Sequence, residues 1–251
     1  MSKTPVMKYF ICAFIDLLGA KDKIFQESFI IGVAELHKLL LESPMYTQHV
    51  FHARVFSDNV VIACEVGDNI NRAVHTVTSL SGSFIWEAFI RTKCLVRGGI
   101  AYDQLLIDGS VVIGPALSRA YDIESRQAIY PRIVIDEEIV QKLLGSKEPD
   151  QSSFYAHFHE LGSMSRDFDG RVYVKPYHLF QRYYNSETAD SHNIIQFNKY
   201  SAIFDEMVQE AKRNARILQK YAWWAKQMNK VFKEVGMTKR LRVLPLYDGV
   251  D

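Results

Sequence analysis

The sequence predicts an α+β fold, a sheet with antiparallel hairpins and helices packed on one face. Three observations predict it. Short apolar runs with strand character recur at 8–18, 49–65 and 95–102, and segments with helical apolar spacing lie between them. Two of the strand runs are joined by Ser57-Asp58-Asn59, a hairpin-forming tripeptide because Asp and Asn tolerate left-handed turn geometry. Hairpins mixed with helical crossovers mark α+β rather than α/β.

The elements follow in order. Residues 8–18 are rich in Phe and Ile and end at Gly19, which suits a central strand followed by a turn. Ile24, Ile31, Ala34, Leu36, Leu39 and Leu40 recur at helical spacing over 23–42, and Pro44 stops the pattern. HVFHARVF and VVIACEV form the hairpin, which puts the carboxylate of Asp58 at its tip. A helix over 68–91, capped by Asp68 or Asn69, leads to VRGGIAY, a strand with paired glycines. A strand at 111–113 precedes Gly114-Pro115, which opens a helix to Arg126, since proline is favoured in the first turn. A strand at 132–135 follows, then a helix at 137–144 capped by Asp136, and the polar loop GSKEPDQSS. A hairpin strand is expected at 168–175, with Asp169-Gly170 at a turn, and two helices over 197–235. This order predicts ferredoxin-like architecture in a domain of residues 1–185, with a C-terminal helical appendage over 186–251.

Composition narrows the functions. Of 251 residues, 48% are hydrophobic, and Lys+Arg 30 against Asp+Glu 29 leaves a net charge of +1, the profile of a folded globular chain and not of a disordered one. The balance argues against a large basic face, so no nucleic-acid partner is expected. No apolar run approaches the ~18 to 20 residues of a spanning helix, so no membrane partner is expected. MSKTPVMKYFICAFID reads poorly as a signal peptide, because Asp16 breaks its apolar stretch, and a cytoplasmic location is expected. Cys12, Cys64 and Cys94 are read as reduced core thiols. The eight histidines form no zinc motif, and His157 and His159 lack an evident third ligand.

Two carboxylates carry the chemistry. Asp16 leaves an apolar strand and Asp58 tips a hairpin, and each follows a run too hydrophobic to need a charge for solubility. On adjacent strands they would meet. Their repulsion would then favour a cation between them, Mg²⁺ or Mn²⁺ holding a polyphosphate. Alternatively each caps its own turn. Leu17-Leu18-Gly19-Ala20-Lys21 continues from Asp16 toward a helix N-terminus whose free N–H groups suit a triphosphate, or Gly19 serves turn geometry alone.

FIDLLG at 14–19, FSDNVVIA at 56–63 and VRGGIAY at 96–102 together resemble the catalytic domain of class III nucleotidyl cyclases. GPALSRAYDIESRQAIYPRIVID and the Tyr/Trp-rich C-terminal region resemble more closely the bacterial pyrimidine cyclases of Pycsar antiphage defence. The resemblance covers residues 8–145 by motif. It implies the class III cyclase fold and conversion of UTP, ahead of CTP, into the 3′,5′-cyclic monophosphate and pyrophosphate. Two Mn²⁺ or Mg²⁺ ions would be held by Asp16, Asp58 and the Leu17 carbonyl. Gly19, Ala20 and Lys21 would take the phosphates, and Phe14 would line the substrate site. Arg54 stands where adenylate cyclases of the class carry a purine-reading lysine, and its guanidinium could meet a pyrimidine carbonyl or snorkel to water. The resemblance also implies a homodimer with sites across the interface and a separate effector that reads the product. The class's ribose and phosphate residues on the 115–126 helix fall at Ser118 and Asp122, and an Asp cannot stabilise a developing anion. Ser118 and Arg119 are the candidates from the partner subunit, with Arg119 alternatively an ordinary helix residue. Arg97 could be an ion-pair partner. The competing reading is a catalytically inactive nucleotide sensor with a cyclase fold.

Overall fold

The apolar run near the start forms β1 (Lys8–Leu17), which is central because it pairs along both edges, antiparallel to β3 (Asn59–Glu65) and to β4 (Val96–Asp108). The computed structural model describes residues 6–42, 51–144, 164–176, 189–234 and 237–243. A single turn, α1 (Ala20–Lys23), and the longer α2 (Glu27–Leu41) follow β1. β2 (His52–Phe56) makes the hairpin with β3, and α3 (Ile70–Thr92) crosses back to β4. The strand order β2-β3-β1-β4 is the split β-α-β arrangement of ferredoxin-like folds.

Beyond that core, β5 (Val111–Ile113) folds back on β4 and α4 (Pro115–Arg126) recrosses the sheet. β6 (Ile133–Ile135) then pairs parallel to β4, and α5 (Glu137–Leu144) follows. A hairpin of β7 (Met164–Arg166) and β8 (Val172–Val174) closes the edge, with β8 against β6. The Arg132 side chain, fully buried, pairs with Asp167 and with Asp169, whose Oδ1 is 3.0 Å from Nη1. That ion pair ties the hairpin turn to the start of β6.

Side chains alternate across a strand, so Phe10, Cys12, Phe14 and Asp16 share one face of β1, and Ile11, Ala13, Ile15 and Leu17 the other. Phe10, Cys12 and Phe14 of the first set pack with Val61, Ala63 and Ala101 under Ala116, Ala120 and Ile123 of α4. α3 packs on β1 and β3 over the second set, with α2 against α3 and β2. Helices therefore cover both faces, which corrects the one-faced sheet the sequence suggested. From Phe10 to Ile15 the apolar β1 is buried on both faces.

Other differences are local. The helix expected over 23–42 is broken at residues 24–26, and Pro44 lies outside the described residues, as do GSKEPDQSS and His157 and His159. β4 continues past Tyr102, because Asp103 and Leu105 still pair with Phe10 and Lys8 of β1. The turn expected at Asp169-Gly170 is found, closed by the Gly170 N–H on the Asp167 carbonyl with Gly170 at φ 80°, and the strand after it is short, Val172–Val174.

The chain divides into two units, Met1–Lys175 and Pro176–Asp251. In the second, α6 (Ala189–Glu210) and α7 (Ala215–Glu234) separate where the Asn214 side chain accepts the Ile217 N–H at 3.2 Å, an N-cap. Trp223 and Trp224 are buried, and the Trp224 indole N–H donates to the Tyr200 hydroxyl. The basic stretch 239–242 is more than a solvated tail. Leu241 within it is buried, and its backbone bonds both ways with the Asn229 amide, at 2.8 and 3.0 Å.

Candidate active site

Strand register places the two carboxylates. Asp16, near the end of β1, lies opposite Asn59 of β3, the residue after Asp58. Asp58 sits in the β2–β3 turn, where Ser57 takes a left-handed φ of 57°. The Leu17 N–H donates to the Asp58 carbonyl at 3.1 Å, which fastens the hairpin tip to the exit of β1. The Asn59 amide donates to Asp58 Oδ1 at 3.2 Å. Burial pushes the Cys94 thiol up, and Asp16 and Asp58 add to the rise while Lys23 opposes it, so all three charges act on one thiol. Lys23 Nζ is itself held 2.8 Å from the Lys93 carbonyl.

The chain leaves β1 through a fixed turn. Leu18 N–H donates to the Leu95 carbonyl at 2.8 Å, and Gly19, at φ 82°, takes a conformation that side chains rarely adopt. Ala20 is buried and Lys21 exposed in α1, whose first N–H groups precede any helical acceptor.

Asp16 has a charged neighbour. Its Oδ2 lies 3.2 Å from Arg97 Nε, on the adjacent residue of β4, and the same Nε pairs with Glu124 of α4. The ion-pair reading of Arg97 is the one found. Sequence reasoning missed Glu124. Its signal was a carboxylate on the same helical stripe as Ala116, Ala120 and Ile123, the stripe that a sheet-packed helix buries.

Phe14 shares the face of Asp16 and is buried, with Phe56 6.3 Å and Tyr121 5.4 Å from its ring, both exposed at their outer edges. Arg54 pairs across to Val61, so it too lies on this face. Its guanidinium donates to two backbone carbonyls, Ala53 at 2.7 Å and Gly109 in the β4–β5 turn. It is thus held to carbonyl oxygens and does not simply extend into water.

The α4 candidates fall apart from this group. Ser118 is exposed, and its N–H bonds the Gly114 carbonyl at 3.2 Å. Arg119 meets Asp136 at 2.7 Å, Glu138 at 2.8 Å and Asp103 at 3.4 Å. Three carboxylates of its own chain surround it, as they would an ordinary ion-paired helix residue. Asp122 forms an exposed pair with Arg126 at 3.5 Å. Among the described residues no group of three or more His, Cys, Asp and Glu side chains is placed to hold a metal. A cation here would rest on two carboxylates and backbone oxygen.

No family model and no curated protein matches the sequence. Solved structures resemble the fold. The guanylyl cyclase domain of the RhoGC fusion protein from the aquatic fungus Blastocladiella emersonii is 16% identical, with 66% of this chain and 94% of that one covered at a TM-score of 0.43. A bacterial light-regulated adenylyl cyclase is 15% identical over 58% of this chain and 48% of that one, TM-score 0.43. An adenylate/guanylate cyclase/hydrolase from Silicibacter pomeroyi is 12% identical over 67% and 95%, TM-score 0.40. The function proposed below stands on the residues of the site and on the motifs that carry the sequence resemblance.

Proposed function

We propose that this chain is a metal-dependent nucleotidyl cyclase that converts a pyrimidine nucleoside triphosphate, UTP ahead of CTP, into its 3′,5′-cyclic monophosphate and pyrophosphate. The observation that carries the reading is the bond from Leu17 N–H to the Asp58 carbonyl, which joins two carboxylate-bearing strand ends beside the Gly19 turn. The donor set suits a hard divalent ion, since Asp16 and Asp58 offer only oxygen. Asp16, Asp58 and the Leu17 carbonyl would hold Mn²⁺ or Mg²⁺, two ions in the class it resembles. When bound, such ions lower the pKa of the ribose hydroxyl and neutralise the leaving group.

The chain's own residues do the rest by placement. The Gly19–Lys21 turn and the Lys21 ammonium are assigned to the β- and γ-phosphates. Phe14, with Phe56 and Tyr121 beside it, offers rings to the base, and Arg54, already bonded to carbonyl oxygens, supports a base that presents carbonyls. The 3′-oxygen attacks the α-phosphorus, the bond to the pyrophosphate oxygen breaks, and the hydroxyl proton leaves to solvent. A homodimer would bring Ser118 of a second copy to the site. The product would act as a second messenger in antiphage defence, read by a separate effector, as the Pycsar resemblance implies.

A second reading has its own observation. Asp122 and the neutralised Arg119 leave α4 without a free guanidinium where the class uses one, which favours a nucleotide sensor that does not turn over. One experiment separates the two. Purified protein is incubated with Mn²⁺ and each ribonucleoside triphosphate in turn, and products are read by mass spectrometry. Cyclic UMP, lost in Asp58→Asn with the circular dichroism unchanged, is the expected result. Tight nucleotide binding without product identifies the sensor, and full activity in Asp58→Asn refutes the two-carboxylate site.

A further inference from the structure

Glu124 has a place in this site that neither the motifs nor the ligand assignment gives it. The residue is 3% exposed on α4, and a buried carboxylate must be paired to stay charged. Its partner is Arg97, which stands between it and Asp16. The reach is set by the backbone. A Cβ at Gly99 would lie 2.2 Å from the Ala120 carbonyl oxygen, so α4 comes down on β4 at a point only glycine allows, one turn before Glu124. Arg97 is two residues from Gly99 on the same face of β4, directly beneath that turn.

We infer that Glu124 is a positioning residue for Asp16, acting through Arg97 to keep the Asp16 carboxylate available to a divalent cation. The inference rests on the reading that Asp16 and Asp58 hold the cation. Arg97 carries one positive charge and two carboxylates share it: its Nε–H donates to Asp16 at 3.2 Å, and the Glu124 carboxylate pairs with the same nitrogen by charge. Asp16, Asp58, Glu124 and Arg97 therefore present two net negative charges. Neutralising Glu124 gives Arg97 wholly to Asp16 and leaves one, so a cation meets both a competitor and a weaker field. One unit charge at this range in a partly solvated site changes cation affinity about tenfold. Neutralising Arg97 as well removes the competitor and brings the net charge back to two.

The test is Mn²⁺ binding to the nucleotide-free protein, read as loss of the free-ion electron paramagnetic resonance signal. It compares wild type with Asp58→Asn, Glu124→Gln and the Arg97→Gln/Glu124→Gln pair, with thermal melts alongside. The inference expects Asp58→Asn and Glu124→Gln both to weaken binding, the latter about tenfold. It also expects the double variant to recover wild-type binding although it is no more stable than the single. A merely structural Glu124 would show no such recovery. Weakening in Asp58→Asn with unchanged affinity in Glu124→Gln overturns this inference and leaves the cation site standing. If Asp58→Asn binds Mn²⁺ as wild type does, the cation reading fails and the inference with it. Should Glu124→Gln not fold, the double variant decides: wild-type or tighter binding upholds the role, and weaker binding overturns it.

Discussion

Replacing Gly99 by alanine tests whether α4 rests on β4 where the site needs it. The added Cβ would lie 2.2 Å from the Ala120 carbonyl oxygen, 2.7 Å from Ile123 Cβ and 2.9 Å from Ile123 Cγ2. The nearest obstacle is helix backbone, which no rotamer change removes. The helix must rise or the strand must sink. Overpacking of this kind costs about 1 to 3 kcal/mol, and a backbone obstacle puts the variant at about 3 kcal/mol. For a unit of 175 residues that lowers the melting temperature by about 6 to 12 °C, at 2 to 4 °C per kcal/mol. Gly67→Ala is the control, because nothing lies within 4 Å of a Cβ there. Thermal unfolding followed by circular dichroism reads both. If Gly99→Ala melts with the control, α4 does not bear on the strand at Gly99, and the reach of Glu124 to Arg97 loses its geometric basis.

Two further outcomes follow from the titrating groups. Arg132 holds the Asp169 carboxyl down at about 2 from its ordinary 3.8, so its stabilisation is complete above pH 4 and fades as the pH falls through 2. Asp169→Asn should therefore cost about 1 to 2 kcal/mol at pH 7, allowing for its part exposure, with the deficit shrinking toward pH 2 in urea melts. A deficit that stays constant across that range would mean the pair contributes by shape and not by charge. Burial pushes the Cys12 thiol up to about 12, and none of its surface reaches water. At pH 8 a thiol reagent should leave Cys12 untouched in the folded protein and label it in urea, as peptide mapping can show; prompt labelling of the native form would contradict a buried β1.

The strands that position the site were legible because their signal is local. β1, the β2–β3 hairpin and the Gly-Gly strand each announce themselves in fewer than about twenty residues, through β-branched and aromatic runs and a turn tripeptide. The same locality explains the misses. Polar Asp103 and Gln104 read as a strand end, yet β4 continues because β1 supplies its partners across the sheet. Arg119 reads as a solvent-facing helix residue, and the carboxylates that claim it come from β4 and from the start of α5, 16 to 19 positions away in the numbering. Glu124 is hidden for the same reason, since the cation that neutralises it lies on another element.

The sequence by itself determined which residues pair into strands and which carry unexplained charge, since alternation, helical spacing and turn chemistry are properties of neighbours along the chain. Asp16 and Asp58 stand out on that basis alone. What only the tertiary structure decided is who meets whom: that helices cover both faces, that Arg97 stands between Asp16 and Glu124, and that Arg119 is taken by its own chain. A charge interacts over a few ångströms through space, and residues 81 positions apart, as Asp16 and Arg97 are, come within that range only when the sheet brings their strands together.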